Sequence, residues 1–164
     1  MYYFAYGSNM SLKRLQARVP SARVVGNATL RQYQLRFHKC GMDLSAKADA
    51  HFTGCAEDQL IGVIFSMEEV DKPSLDRAEG EGVGYECIEV ELELESGTTQ
   101  KALAYIALHI DRGLRPYHWY KRHVVQGALE AGLPDEYVAL IHDVLAIDDP
   151  DVERHLREST IYQD

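Results

Sequence analysis

The first 42 of the 164 residues contain no aspartate and no glutamate. That segment cannot form ion pairs within itself, so its seven basic side chains (Lys13, Arg14, Arg18, Arg23, Arg31, Arg36 and Lys39) must answer acids further along or an anionic ligand. Cysteine is scarce, with only Cys40, Cys55 and Cys87, an odd and widely spaced set that argues against a disulfide framework and for reduced thiols in a cytoplasmic protein. No apolar run approaches the roughly 20 residues of a membrane span, and the opening MYYFAYGSNM lacks the basic start and apolar stretch of a secretory leader. Repeats and low-complexity tracts are absent too. The expectation is one globular domain over residues 1–164, with a peripheral tail from about residue 148.

What is present is 46% hydrophobic, enough for a real core, and a net charge of −9. Residues 43–133 carry 17 acids against 8 bases, and residues 134–164 carry 9 against 2. A basic front end can serve a nucleic acid or a small anion, but pairing within one fold is the simpler reading, and no nucleic-acid or membrane partner is expected.

Patterning predicts strands in the first two thirds. Tyr2–Ala5 is aromatic and apolar, Val24-Val25 and Leu30–His38 are strand-like, and Leu60–Phe65 is a continuous run suited to burial on both faces. Residues 39–59 are mixed and loop-like, with a short strand near Ala46–Ala50. In Tyr85–Glu95, Ile88, Val90, Leu92 and Leu94 alternate with Glu89, Glu91, Glu93 and Glu95, which predicts a long strand with one acidic face. Ser96-Gly97-Thr98 turns it into Ala102–Leu108.

Helices come mostly later. Leu12, Leu15 and Val19 follow a possible Ser11 cap, and Glu68–Ala78 reads as a helix interrupted near Pro73. From Pro116 a helix is expected with Trp119, Val124, Val125 and Leu129 on one side, stopped by a left-handed Gly132. Pro134 starts another, with Tyr137, Leu140, Ile141, Val144 and Leu145 in one stripe, and Asp149–Arg157 reads as a last, exposed helix. Strands first and helices last make the class α+β.

Two segments carry chemistry. Tyr6-Gly7-Ser8-Asn9-Met10 joins a buried strand to a helix, where converging backbone N–H groups suit a carboxylate or phosphate. An ordinary strand–helix turn fits the same residues. Glu79 stands before a glycine-rich turn, Gly80-Glu81-Gly82-Val83-Gly84, where partial desolvation would raise its pKa and let it shuttle protons. Those glycines precede a strand, so they are not a dinucleotide fingerprint. Tyr105 has small neighbours, Ala102, Ala104 and Ala107, that leave room around its phenol, and Tyr120 sits at a helix start. The seven histidines and three cysteines show no metal-ligand spacing, and no metal or cofactor is expected.

Taken together, these residues resemble the γ-glutamylcyclotransferase family. The resemblance rests on Tyr3 to Met10, on Leu75-Asp76-Arg77-Ala78-Glu79-Gly80 with Tyr85, on Ala104-Tyr105-Ile106, and on Tyr120, Gly127-Ala128 and Gly132-Leu133-Pro134. It implies a mixed, mostly antiparallel sheet curled into a small barrel with flanking helices. It also implies cofactor-independent conversion of a γ-glutamyl amino acid to 5-oxoproline and free amino acid, within glutathione metabolism, by a monomer or homodimer. Glu79 would be general acid and base, residues 6–10 would hold the α-carboxylate, and Tyr105 and Tyr120 would orient the substrate or support Glu79. A γ-glutamylamine, a carrier-linked γ-glutamyl group, or a silent domain that binds a γ-glutamyl metabolite are the alternatives. The departure from the family pattern is Glu81, a second acid close to Glu79.

Overall fold

The computed structural model describes residues 1–162. Seven strands form in order: β1 (Tyr2–Ala5), β2 (Arg23–Arg31), β3 (Tyr33–Cys40), β4 (Ala46–Phe52), β5 (Gln59–Ser66), β6 (Tyr85–Leu94) and β7 (Thr99–Ala107). Five of them close a barrel in the order β1-β5-β2-β6-β7, while β3 and β4 form a separate antiparallel ribbon. Pairing in the barrel is antiparallel except where β1 meets β7 in parallel, Tyr3 opposite Leu103. The fold is therefore the α+β, mixed and mostly antiparallel barrel that the resemblance implied.

The helices are α1 (Leu12–Gln16), α2 (Lys72–Glu79), α3 (His118–Glu130), α4 (Asp135–His142) and α5 (Val152–Ser159). Phe4, Leu15, Leu60, Ile64, Phe65, Leu75, Leu92 and Val124 are fully buried and fill the interior. The alternation of β6 works as its sequence implies: Val90 and Leu92 point inward while Glu89, Glu91 and Glu95 face water. Arg31 reaches Glu93 at 2.7 Å from β2, so one basic group of the front end does answer the acidic strand.

Several expectations are corrected. Leu30–His38 is not one strand, because Gln32 takes a left-handed turn (φ 67°) that ends β2 and starts the ribbon. The short strand expected near Ala46–Ala50 is present but longer, β4 running seven residues to Phe52 and pairing along β3. Its small inward residues, Ala46, Ala48 and Ala50, mute the apolar signal. Pro73 does not interrupt a helix; it occupies the first turn of α2, where its missing N–H costs nothing. Leu129, Leu140 and Leu145 are exposed, so α3 and α4 bury narrower stripes than expected, around Val124 and Ile141. Asp149 is not in an exposed helix. It is buried, accepts from the Trp119 indole at 2.8 Å, and binds Arg154.

Two glycines set the site's geometry. Gly80 adopts φ 68° as the left-handed cap of α2, turning the chain sharply just after Glu79. Gly127 lets α3 lie against the loop after β1: a Cβ there would come within 2.6 Å of the Ser11 nitrogen and 2.7 Å of the Met10 Cβ.

Candidate active site

After β1 the chain leaves the barrel as a single 3-10 turn, Ser8–Met10. The carboxylate-bearing end of α2 comes to the same place, as do β4, the start of β6, the middle of β7 and the first turn of α3. The result is a narrow chamber of about 30 Å³ lined by Tyr3, Tyr6, Gly7, Ser8, Asn9, Ala48, Glu79, Tyr85, Tyr105 and Tyr120. It adjoins an outer cavity of about 630 Å³, and Ser8, Asn9, Glu79, Tyr85 and Tyr120 line both.

Of the residues singled out from sequence, Tyr6, Gly7, Ser8, Asn9, Glu79, Tyr105 and Tyr120 meet in this chamber. Met10 does not. It lies behind the loop against α3, and its N–H is spent on the Gly7 carbonyl at 3.1 Å, leaving Gly7–Asn9 as the stretch that faces the chamber. Glu81 points to solvent and lines neither cavity.

Glu79 is partly buried, and loss of water around its carboxylate raises its pKa above the ordinary glutamate value. Arg18, Arg14, Lys39 and a hydrogen bond from Asn9 pull the other way without cancelling the effect. A carboxylate with its pKa raised in this way is better suited to both accepting and returning a proton. Asn9 ties the site together. Its Nδ2 donates to Glu79 Oε1 at 2.5 Å and to the Tyr3 hydroxyl at 3.2 Å, while its Oδ1 accepts from Arg18 at 2.8 Å.

The tyrosines are largely committed to the frame. Tyr6 donates its hydroxyl to the Tyr105 carbonyl, and Tyr105 donates to Asp76 at 2.6 Å, where Lys72 also binds. Tyr85 donates to the Ala48 carbonyl at 2.7 Å, and the Ala48 N–H donates to the Tyr120 hydroxyl at 3.0 Å. Burial pushes the Tyr120 phenol up to about 12, so it stays protonated and can act as a neutral donor.

Sequence reasoning missed Tyr3, Ala48, Tyr85 and Arg18. Tyr3 and Tyr85 stood inside the quoted motifs, but strand alternation alone does not say which face meets a chamber. Ala48 contributes only its backbone, for which a sequence carries no signal.

The fold also gathers His38, Asp49 and His51, whose potential ligand atoms all lie within 4.8 Å of one another, a set hidden by chain spacing. Here His38 Nε2 is hydrogen-bonded to Asp49 Oδ2 at 2.8 Å, and the other Asp49 oxygen accepts from the Ala107 N–H at 2.8 Å. Arg36 and Arg112 border the adjoining cavity. His38 and Asp49 thus satisfy one another, and the two guanidinium groups that line the cavity with His38 and His51 disfavour a bound cation.

The small closed barrel thus holds one desolvated carboxylate in a tyrosine-lined chamber, with a strand–helix loop at its mouth. The AIG2-like family model matches residues 59–141. Gamma-glutamylcyclotransferase of Homo sapiens is 32% identical over 142 residues, covering 82% of this chain and 73% of the relative. A solved gamma-glutamyl cyclotransferase superposes with a TM-score of 0.82 at 26% identity, over 96% of this chain and 98% of that one. A yeast gamma-glutamyl cyclotransferase specific to glutathione shares the fold, with a TM-score of 0.61 at 13% identity over 86% and 93% of the two chains. The chain belongs to the AIG2-like family, on the gamma-glutamylcyclotransferase side of it.

Proposed function

We propose that the protein cyclises the γ-glutamyl group of a γ-glutamyl amino acid to 5-oxoproline and releases the amino acid, with Glu79 carrying the protons. The observation that supports this reading is the position of Glu79, partly buried, raised in pKa and hydrogen-bonded by Asn9 in the chamber lined by Gly7, Ser8 and Asn9.

The backbone N–H groups of Gly7, Ser8 and Asn9 receive the substrate's α-carboxylate. Glu79 takes one proton from the α-ammonium, and the freed amine attacks the γ-carbonyl carbon, forming the ring C–N bond. Glu79 then returns that proton to the amide nitrogen as the old C–N bond breaks. A second proton leaves the ring nitrogen and balances protonation of the released amine, so the enzyme ends unchanged. A positioned acid–base group of this kind contributes roughly 10²–10⁴-fold. Because the attack is intramolecular, holding the chain folded supplies much of the rest. Tyr120 and the Tyr105 ring shape the pocket around the glutamyl backbone. Similarity to human gamma-glutamylcyclotransferase points to a γ-glutamyl amino acid as substrate, and the reduced thiols fit a cytoplasmic role.

Incubation of the purified protein with several γ-glutamyl amino acids, following 5-oxoproline, tests the reading. Release that vanishes in Glu79→Gln is expected. Tight binding without any turnover would favour a silent binding domain.

A further inference from the structure

Charge in the wall of the outer cavity is one-sided. Arg14, Arg18, Lys39, Lys47 and Arg77 line it, against Glu79 as the acidic residue, in a chain whose net charge is −9. Some of this positive charge is answered locally: Lys47 binds Asp43 at 2.7 Å and Arg14 binds Glu158 at 3.1 Å. Lys39 is different. Its ammonium lies over the Tyr85 ring, 4.7 Å from the centroid, and fills the space where a Cβ on residue 84 would stand, 2.8 Å away. No carboxylate lies within ion-pair distance of it among the described residues, and Glu79 acts on it only from further off. A largely buried, unpaired ammonium at the wall of a cavity is costly unless an anion comes to it.

The chamber and the outer cavity share the Glu79 wall. At about 30 Å³ the chamber admits no more than one end of a glutamyl group, so a scissile amide at Glu79 has its amine half in the basic cavity. Three cations of the wall, Arg18, Arg77 and Lys39, have no ion pair among the described residues, one more than Glu79 and the α-carboxylate of an ordinary leaving amino acid offset. We infer that this cavity is a leaving-group subsite selecting amine halves that carry an extra carboxylate, with Lys39 as the specificity-determining residue. The inference rests on the cyclotransferase reading above and names its substrate class more narrowly, as γ-glutamyl compounds of acidic amino acids. Cationic leaving amines are rejected by the same wall.

The test uses two nearly isosteric substrates, γ-glutamyl-glutamate and γ-glutamyl-glutamine, which differ in one charge. For the unaltered protein at low salt, kcat/KM is expected to favour the glutamate compound by about tenfold or more, the scale of one charge-assisted contact. In Lys39→Gln the ratio of the two kcat/KM values should fall towards one, whatever happens to the absolute rates. Equal rates on the two compounds, or an unchanged ratio in Lys39→Gln, would each overturn the inference while leaving the cyclotransferase reading intact. The comparison of the two compounds on the unaltered protein needs no variant, so it decides the point even where Lys39→Gln folds poorly. Failure of every γ-glutamyl compound to yield 5-oxoproline overturns both readings, and is told apart by that complete absence of product.

Discussion

Asn9 and Glu79, seventy residues apart in the chain, are joined by a 2.5 Å hydrogen bond in which the Asn9 amide nitrogen donates to the carboxylate. Arg18 fixes the direction of that amide, because a guanidinium only donates and so must face Oδ1. In the proposed mechanism the loop at the chamber mouth thus has two duties, presenting backbone amides to a substrate and aiming the Glu79 carboxylate.

Replacing Asn9 by Ala removes a donor that favours ionised Glu79. The Glu79 pKa should rise further, moving the acidic limb of the pH profile of kcat/KM to higher pH, and kcat should fall by about tenfold. A profile that keeps its limb while activity drops would mean that Asn9 acts only on folding.

Glu79→Gln should lower 5-oxoproline release by at least about 10²-fold. The same change should stabilise the fold. A pKa raised by burial means the folded state disfavours the ionised form, so ionised Glu79 costs stability at neutral pH. Thermal unfolding at pH 7 should therefore give a higher Tm for Glu79→Gln. The gain should close below the ordinary value of 4.5, where the carboxyl is protonated in both states.

Gly127→Ala should separate α3 from the loop after β1, since the new methyl meets backbone as well as the Met10 side chain. A loss of about 1–3 kcal/mol is expected from overpacking at such a contact. Activity should fall with it, because the displaced loop carries Gly7–Asn9. Urea unfolding together with product release checks both.

Acid should loosen the C-terminal helix before the barrel. Hydrogen bonding from His123, aided by Arg14, holds the Glu158 carboxyl down at about 2. A depressed carboxylate stabilises the fold above its ordinary value of 4.5, and that contribution fades as pH falls towards about 2. Glu158→Gln should lower Tm at pH 7 and flatten its dependence on pH in the acid range, read by thermal scans at several pH values.

How much of this was legible in the sequence depends on range. The β6 alternation, the left-handed end near Gly132 and the clustering of Glu79 with the Tyr6–Asn9 loop followed from local pattern and from family resemblance. Local pattern also marks strands near both halves of the β3–β4 ribbon, but not its pairing and full extent, because Ala46, Ala48 and Ala50 give little apolar contrast and the break at Gln32 needs no glycine. Asn9 read as a loop residue for a ligand, whereas its amide is largely engaged by Arg18, Tyr3 and Glu79; only the fold brings those three to it. The basic front end divides in the same way. Arg31 answers β6, but Arg14, Arg18 and Lys39 converge on one cavity, a pattern hidden when their charges are merely counted.

The ribbon shares no sheet with the barrel, and at Ala48 its two peptide groups are gripped by hydroxyls from β6 and α3. Tyr120, one of those two grips, lies edge-on to Trp119 with ring centres 5.9 Å apart, and Trp119 is the protein's single tryptophan and lines the outer cavity. The molecule therefore carries a built-in optical probe: a ligand that enters from the basic side, or a ribbon that shifts, changes the surroundings of one indole, and intrinsic emission alone can follow occupancy without any label.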